Sequence, residues 1–251
     1  MWKAVDNISF SIGAGETFGL VGESGSGKTV TALSILNLVD EPGKIVSGDI
    51  IFDNKSLLLL KKEEMRNIRG KEISIVFQEP LTALNPVLTI GEQIMEQILT
   101  HTKIKTNEAE EGAIALLKEV HLSSPERIFY DYPHRLSGGM RQRAMIAMAL
   151  SLRPKLLIAD EPTTALDVTI QAEILELFHE IKEKHNMSIL FITHDFGIIA
   201  QLADRVAVMQ RGHIVEEGSV EEIFYSPKAH YTRQLLDAIP KIPKDLRMHN
   251  G

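Results

Sequence analysis

The residues best suited to chemistry are Gly22-Glu23-Ser24-Gly25-Ser26-Gly27-Lys28-Thr29, a G-x-x-x-x-G-K-[ST] run. An apolar, strand-like stretch precedes it (Thr17-Phe18-Gly19-Leu20-Val21), and an apolar helical stretch from Val30 to Val39 follows. Strand, glycine-rich turn and helix form the context in which such a loop cradles phosphates. Backbone N–H groups of the loop and of the helix start point at the anion, and glycine lets the main chain approach it closely. Lys28 then reaches the β- and γ-phosphates of a nucleoside triphosphate, and the Thr29 hydroxyl is a ligand for Mg2+.

Carboxylates at the end of a second apolar run extend this chemistry. Asp160 and Glu161 close Leu156-Leu157-Ile158-Ala159. Asp160 suits a metal ligand acting directly or through water, because a hard cation on phosphates takes a carboxylate beside it. Glu161 is then placed to orient or deprotonate a water aimed at the γ-phosphate. Gln78 follows the run Ile73 to Phe77, and His194 follows Ser188 to Ile192. Each is a weak signal alone and gains weight from its place at a strand end. His194 either contacts the γ-phosphate or holds the attacking water. Ser137-Gly138-Gly139 opens a further helix, with Ser137 as N-cap and open N–H groups behind it, a second anion-binding terminus. A capped helix with a glycine turn is the plain alternative. A single nucleotide has no need of two such termini, so the second is expected to serve a nucleotide held by another copy.

Bulk properties narrow the class. A chain of 251 residues is ample for a buried core. A net charge of −7 disfavours a nucleic-acid groove as the main business of the surface, so nucleic acid is not expected among the partners. The sequence holds no cysteine, which removes disulfides, thiolate nucleophiles and cysteine-ligated metal clusters. No apolar run approaches the length of a transmembrane helix, and Met1 to Asp6 lacks the pattern of a signal peptide. A cytoplasmic location is expected.

The elements around these residues alternate. Ile8, Phe10 and Ile12 alternate with serines and predict β structure through residue 21, and Ser47 to Asn54 predicts another strand and turn. A charged helix is expected over 61–70. Apolar strands at 73–77, 156–160 and 188–192 alternate with an amphipathic helix over 168–185 and a helix through Ala203, followed by a hairpin around Arg211-Gly212. Helical spacing dominates from about 80 to 150, with a loop at Ser123-Ser124-Pro125. The whole predicts one α/β domain, a mainly parallel sheet covered on both faces with an inserted helical subdomain and a C-terminal tail from about 225 to 251. In such sheets ligands bind beyond the carboxyl ends of the strands.

These residues, taken together, resemble the nucleotide-binding subunit of an ATP-binding-cassette (ABC) transporter. The resemblance covers nearly the whole chain: Walker A (Gly22 to Thr29), the Q-loop Gln78, the signature Leu136-Ser137-Gly138-Gly139, Walker B with Asp160 and Glu161, the D-loop Ala165-Leu166-Asp167 and the switch histidine His194. It implies ATP and Mg2+ as cofactors, with Thr29, Gln78 and Asp160 at the metal and Glu161, Gln78 and His194 at the reaction. It also implies a head-to-tail dimer in which Ser137, Gly138 and Gly139 face the γ-phosphate of the other subunit, with Asp167 coupling the sites. Phe77 to Pro86 and the tail Ser226 to Leu236 are similar to the dipeptide/oligopeptide/nickel importer ATPases. That implies peripheral attachment to the cytoplasmic membrane face, separate transmembrane permease subunits, a second identical or sister ATPase and, indirectly, a solute-binding protein. Nickel import and a soluble non-transport ABC ATPase are the alternatives to peptide import. Two departures stand out. The family's adenine-stacking aromatic would fall before Met1, leaving Trp2 as the nearest. The cysteines that many peptide-importing relatives use for an iron–sulfur cluster are missing, as in the shorter nickel-type members.

Overall fold

A computed structural model describes residues 3–238. In chain order, β1 (Thr17–Val21) leads through the glycine-rich loop into α1 (Lys28–Ile35). A small hairpin of β2 (Ile51–Phe52) and β3 (Lys55–Ser56) precedes α2 (Lys62–Ile68) and β4 (Ile73–Val76). Helices follow without an intervening strand: α3 (Pro80–Ala83), α4 (Ile90–His101), α5 (Thr106–Glu119), α6 (Pro125–Phe129) and α7 (Gly138–Leu150). Then come β5 (Leu156–Asp160), α8 (Val168–His185), β6 (Ser188–Thr193), α9 (Phe196–Leu202), β7 (Arg205–Gln210) and β8 (His213–Ser219). Two short helices, α10 (Val220–Tyr225) and α11 (His230–Asp237), end the described chain.

The main sheet has the order β4-β5-β6-β1-β7-β8, parallel except for β8, which pairs antiparallel with β7. The central strands are apolar throughout because both faces are covered. Alternation along them splits the core in two. Phe18, Leu20, Ile158, Leu190 and Ile192 pack on the side of α1 and α2. Leu157, Ala159, Ile189, Phe191, Val206 and Val208 pack on the side of the helical segment and α8. The β7–β8 turn takes positive φ at Arg211 (48°) and Gly212 (84°), the backbone that a tight hairpin's twist requires.

In the helical segment α4 begins with a reciprocal cap: Thr89 Oγ1 accepts from the Glu92 N–H at 3.2 Å, and Glu92 Oε2 accepts from the Thr89 N–H at 2.7 Å. Polar ties bind this segment to the α/β core. Glu119, at the end of α5, meets His185 Nε2 at 2.5 Å and Lys184 Nζ at 3.1 Å, both at the end of α8. Arg143 of α7 donates to the Val120 carbonyl at 3.0 Å and to Glu173 of α8 at 2.9 Å.

The N-terminal stretch departs from expectation. Ile8, Phe10 and Ile12 do turn one face inward, with Phe10 stacked on Phe18 at 5.2 Å, but residues 8–13 join no ladder. Alternation decides which face is apolar, whereas a ladder also needs a neighbouring strand in register. Residues 47–50 likewise stay outside the strands, and the expected loop at Ser123 to Pro125 runs directly into α6, with Pro125 in its first turn.

Candidate functional site

The sheet brings the candidate residues level with one another. Val21 pairs with Thr193, Asp160 with Ile192, and Val76 with Ala159. Four adjacent strands therefore finish at one edge; Gly22, His194 and Glu161 are the next residues out on three of them, and Gln78 follows β4 after Phe77, level with Glu161. The three latter side chains meet there, although they lie far apart in sequence.

The phosphate loop is shaped by close approach. Gly27 sits at φ 109°, and a Cβ on it would fall 2.6 Å from the Ala4 carbonyl oxygen, so a side chain is excluded on both counts. Gly27 caps α1 without a side-chain hydrogen bond and no acidic residue lies in the first turn, which leaves the helix start open to an anion. Lys28 is buried, and its Nζ donates to the Gly22 carbonyl at 2.7 Å and the Glu23 carbonyl at 3.0 Å. Burial lowers its pKa, while the Glu161 and Asp160 carboxylates push it back up. Ser26 is buried with a hydroxyl that has no partner among the described residues.

Asp160 is buried beneath this loop. Burial raises its pKa, the Thr29 hydroxyl opposes that, and the neighbouring Glu161 charge adds to it. One carboxylate oxygen, Oδ1, is buried with no hydrogen-bond partner among the described residues. A buried, unpartnered carboxylate oxygen is costly unless a cation or donor joins it, so the donor set fits a hard divalent ion between Asp160 and Thr29.

Glu161 is the hub. Its Oε2 accepts from Gln78 Nε2 at 3.2 Å and from Thr164 Oγ1 at 3.0 Å, and lies 3.3 Å from His194 Nδ1. Its Oε1 lies 3.9 Å from Lys28 Nζ. The backbone is left-handed here, at φ 46°, a conformation that costs a non-glycine residue about 1–3 kcal/mol. A hydrogen bond from the Glu161 N–H to the Ile192 carbonyl at 2.9 Å holds it in place. Thr164 went unnoticed in the sequence because a threonine in a turn carries no signal until the carboxylate beside it is known.

Ser137, Gly138, Gly139 and Asp167 form a separate group. Ser137 caps α7, accepting from the Met140 N–H at 3.3 Å, and Asp167 caps α8, accepting from the Ile170 N–H at 3.0 Å. The two helix starts touch: a Cβ on Gly139 would lie 2.7 Å from Ile170 Cγ2, so glycine is what permits that approach. Ser137 and Asp167 are both exposed, and among the described residues neither hydrogen-bonds to the phosphate loop. Trp2 lies outside the described residues.

A phosphate loop between β1 and α1, with carboxylates at the end of β5 in a parallel sheet, defines a nucleotide-binding cassette of the phosphate-loop class. The profile of the family described as "ABC transporter" matches residues 5–164, and the chain belongs to that family. It is 54% identical to the oligopeptide transport ATP-binding protein AppD of Bacillus subtilis over 99% of this chain and 76% of that protein. It is 52% identical to OppD of the same organism over 96% of this chain and 67% of that one. Among solved structures, the dimeric cassette MJ0796 in a post-hydrolysis state with ADP and Pi superposes with a TM-score of 0.77, at 29% identity, covering 86% of this chain and 90% of that one. The chain is an ATP-hydrolysing cassette of this family.

Proposed function

We propose that this chain powers the uptake of di- and oligopeptides through separate membrane permease subunits, by hydrolysing ATP at sites completed in a cassette dimer. The single observation that carries the hydrolytic part is the convergence of Gln78, Thr164, His194 and Lys28 on one half-buried carboxylate, Glu161. ATP would be held by Gly22 to Thr29, with Mg2+ at Thr29, Asp160 and Gln78; bound there, the cation offsets charge on the phosphates. The work of this chain's residues is then positional and protolytic. Gln78, Thr164 and His194 fix the Glu161 carboxylate, which orients a water and takes its proton. Lys28 gives up loop carbonyls for anionic oxygens. Ser137, Gly138 and Gly139 would offer their helix start to the nucleotide of the other cassette, and Asp167 would couple the two sites.

Peptides as cargo rest on the 51–54% identity to dipeptide and oligopeptide transport proteins of Bacillus subtilis. The similarity to transport ATP-binding proteins supports a separate permease partner, with the cassette peripheral on the cytoplasmic face; no described helix is long and apolar enough to cross a membrane. The helical segment carries an open surface cleft of about 390 Å3 lined by Asn85, Leu88, Gln93, His101 and Met148, and the permease would dock on this segment. The test is uptake of labelled di- and tripeptides in cells carrying wild type or Glu161→Gln. Loss of peptide uptake with the variant is expected; unchanged peptide uptake alongside lost nickel uptake would overturn the peptide assignment.

A further inference from the structure

The tail segment after β8 reaches back to the nucleotide site. The Tyr231 hydroxyl of α11 accepts from the backbone N–H of Glu23, in the phosphate loop, at 3.4 Å. That is at the long end for such a bond, but the phenol is buried, and a buried tyrosine hydroxyl ordinarily finds a partner. Burial raises the phenol's pKa, so it stays protonated and neutral across the physiological range. Glu23 is held on its other side as well, because its carbonyl accepts from Lys28 Nζ at 3.0 Å. The phenol is thus separated by one residue of the loop from the ammonium that faces phosphate.

Nor is α11 a loose end. Glu216 of β8 accepts from the Lys228 N–H at 2.6 Å and the Ala229 N–H at 3.0 Å, fixing the start of the helix. Arg233 closes the preceding turn onto the Pro227 carbonyl at 3.0 Å and the Lys228 carbonyl at 2.7 Å. Thr232 is wholly buried, and Leu235 and Leu236 pack on the larger core. The sheet, through Glu216, therefore sets where the Tyr231 hydroxyl sits.

We propose that Tyr231 is a positioning residue for ATP binding: α11 acts as a strut that holds the start of the phosphate loop, and through Glu23 the resting position of Lys28. The inference rests on the reading of Gly22 to Thr29 as the ATP site. It assigns the tail a task within the cassette, so displacement of α11 loosens the grip on nucleotide without touching the hydrolytic carboxylate.

The experiment compares the full chain as wild type, Tyr231→Phe and Glu216→Gln, measuring KM for ATP, kcat and the thermal midpoint. Tyr231→Phe keeps the ring packing and removes one hydrogen bond, for which a two- to tenfold rise in KM is expected, about the effect of one such bond. kcat is expected to hold within about twofold and the midpoint within a few degrees, roughly the range of a small stability change. Glu216→Gln should raise KM in the same direction, and the double variant should exceed the larger single effect by little, because both act on one strut. A Tyr231→Phe chain with wild-type KM overturns the proposal. So does one in which the midpoint falls while KM stays put, since that is the mark of packing alone. Failure of the wild type to bind ATP would instead strike the reading of the loop itself.

Discussion

The two groups of candidate residues are built differently. Around Glu161 the chain finishes its own work: groups from two other segments and from its own turn converge on one carboxylate, beside a buried lysine and a buried aspartate. Around Ser137 and Asp167 the side chains, among the described residues, cap their own helices, and both are exposed. Val168, next to Asp167, is 84% exposed. The contrast teaches where preorganisation is needed. In the proposed roles, a proton acceptor must be aimed before substrate arrives, whereas a helix start offered to another molecule's phosphate needs only to be presented rigidly.

The largest effect falls on the finished group. Glu161→Gln keeps the shape and loses the proposed base, and kcat is expected to drop by about 10²- to 10⁴-fold with ATP binding retained; steady-state turnover and nucleotide binding check this. Near wild-type turnover would mean that the convergence on Glu161 is structural only. Next, Ser137→Arg should lower turnover by about 10²- to 10³-fold, as loss of a preorganised anion-holding element does, with ATP binding by isolated subunits unchanged. Loss of binding there would erase the distinction between the groups.

Smaller changes sharpen the comparison. Thr164→Val removes one donor from the Glu161 carboxylate and should cost about two- to tenfold in kcat, with little change in KM. Gly139→Ala forces a methyl group against Ile170; a destabilisation of about 1–3 kcal/mol is expected, read as a lowered thermal midpoint. Smallest is the tie between the helical segment and the core. Burial raises the Glu119 pKa, but hydrogen bonds from His185 and Lys184 outweigh it and hold the carboxyl below its ordinary value. A carboxylate lowered on folding contributes stability above its unfolded pKa and loses it as pH falls through the folded value. The margin of wild type over Glu119→Gln should therefore be present above the unfolded carboxylate pKa and be lost as the pH falls through the lower folded value, with a size of less than about 1 kcal/mol for so partly solvated a pair.

The parts of this site that were legible in the sequence are those that depend on local spacing. The strand before Gly22 and the helix after Lys28 follow from apolar runs and a glycine turn. The helix over 168–185 was legible because its apolar residues recur at helical spacing, and the structure adds that Asp167 caps its start. Asp160, Glu161 and His194 gained meaning only from the expectation that parallel strands end at one edge. What stayed hidden rests on partners distant in the chain. Ile8 to Ile12 obeyed alternation without finding a ladder, since pairing is a property of two strands. Thr164 became visible only with the backbone turn at Glu161. The bond between Glu23 and Tyr231 spans 208 residues, a distance that no local pattern encodes.

In the proposed dimer the exposed group completes the finished group of a second cassette. This completion is tested most directly by sedimentation of Glu161→Gln with Mg2+ and ATP, alone and combined with Ser137→Arg. The account predicts an ATP-dependent dimer for Glu161→Gln and an ATP-bound monomer for the double variant. A double variant that dimerises on ATP as readily as Glu161→Gln would contradict it.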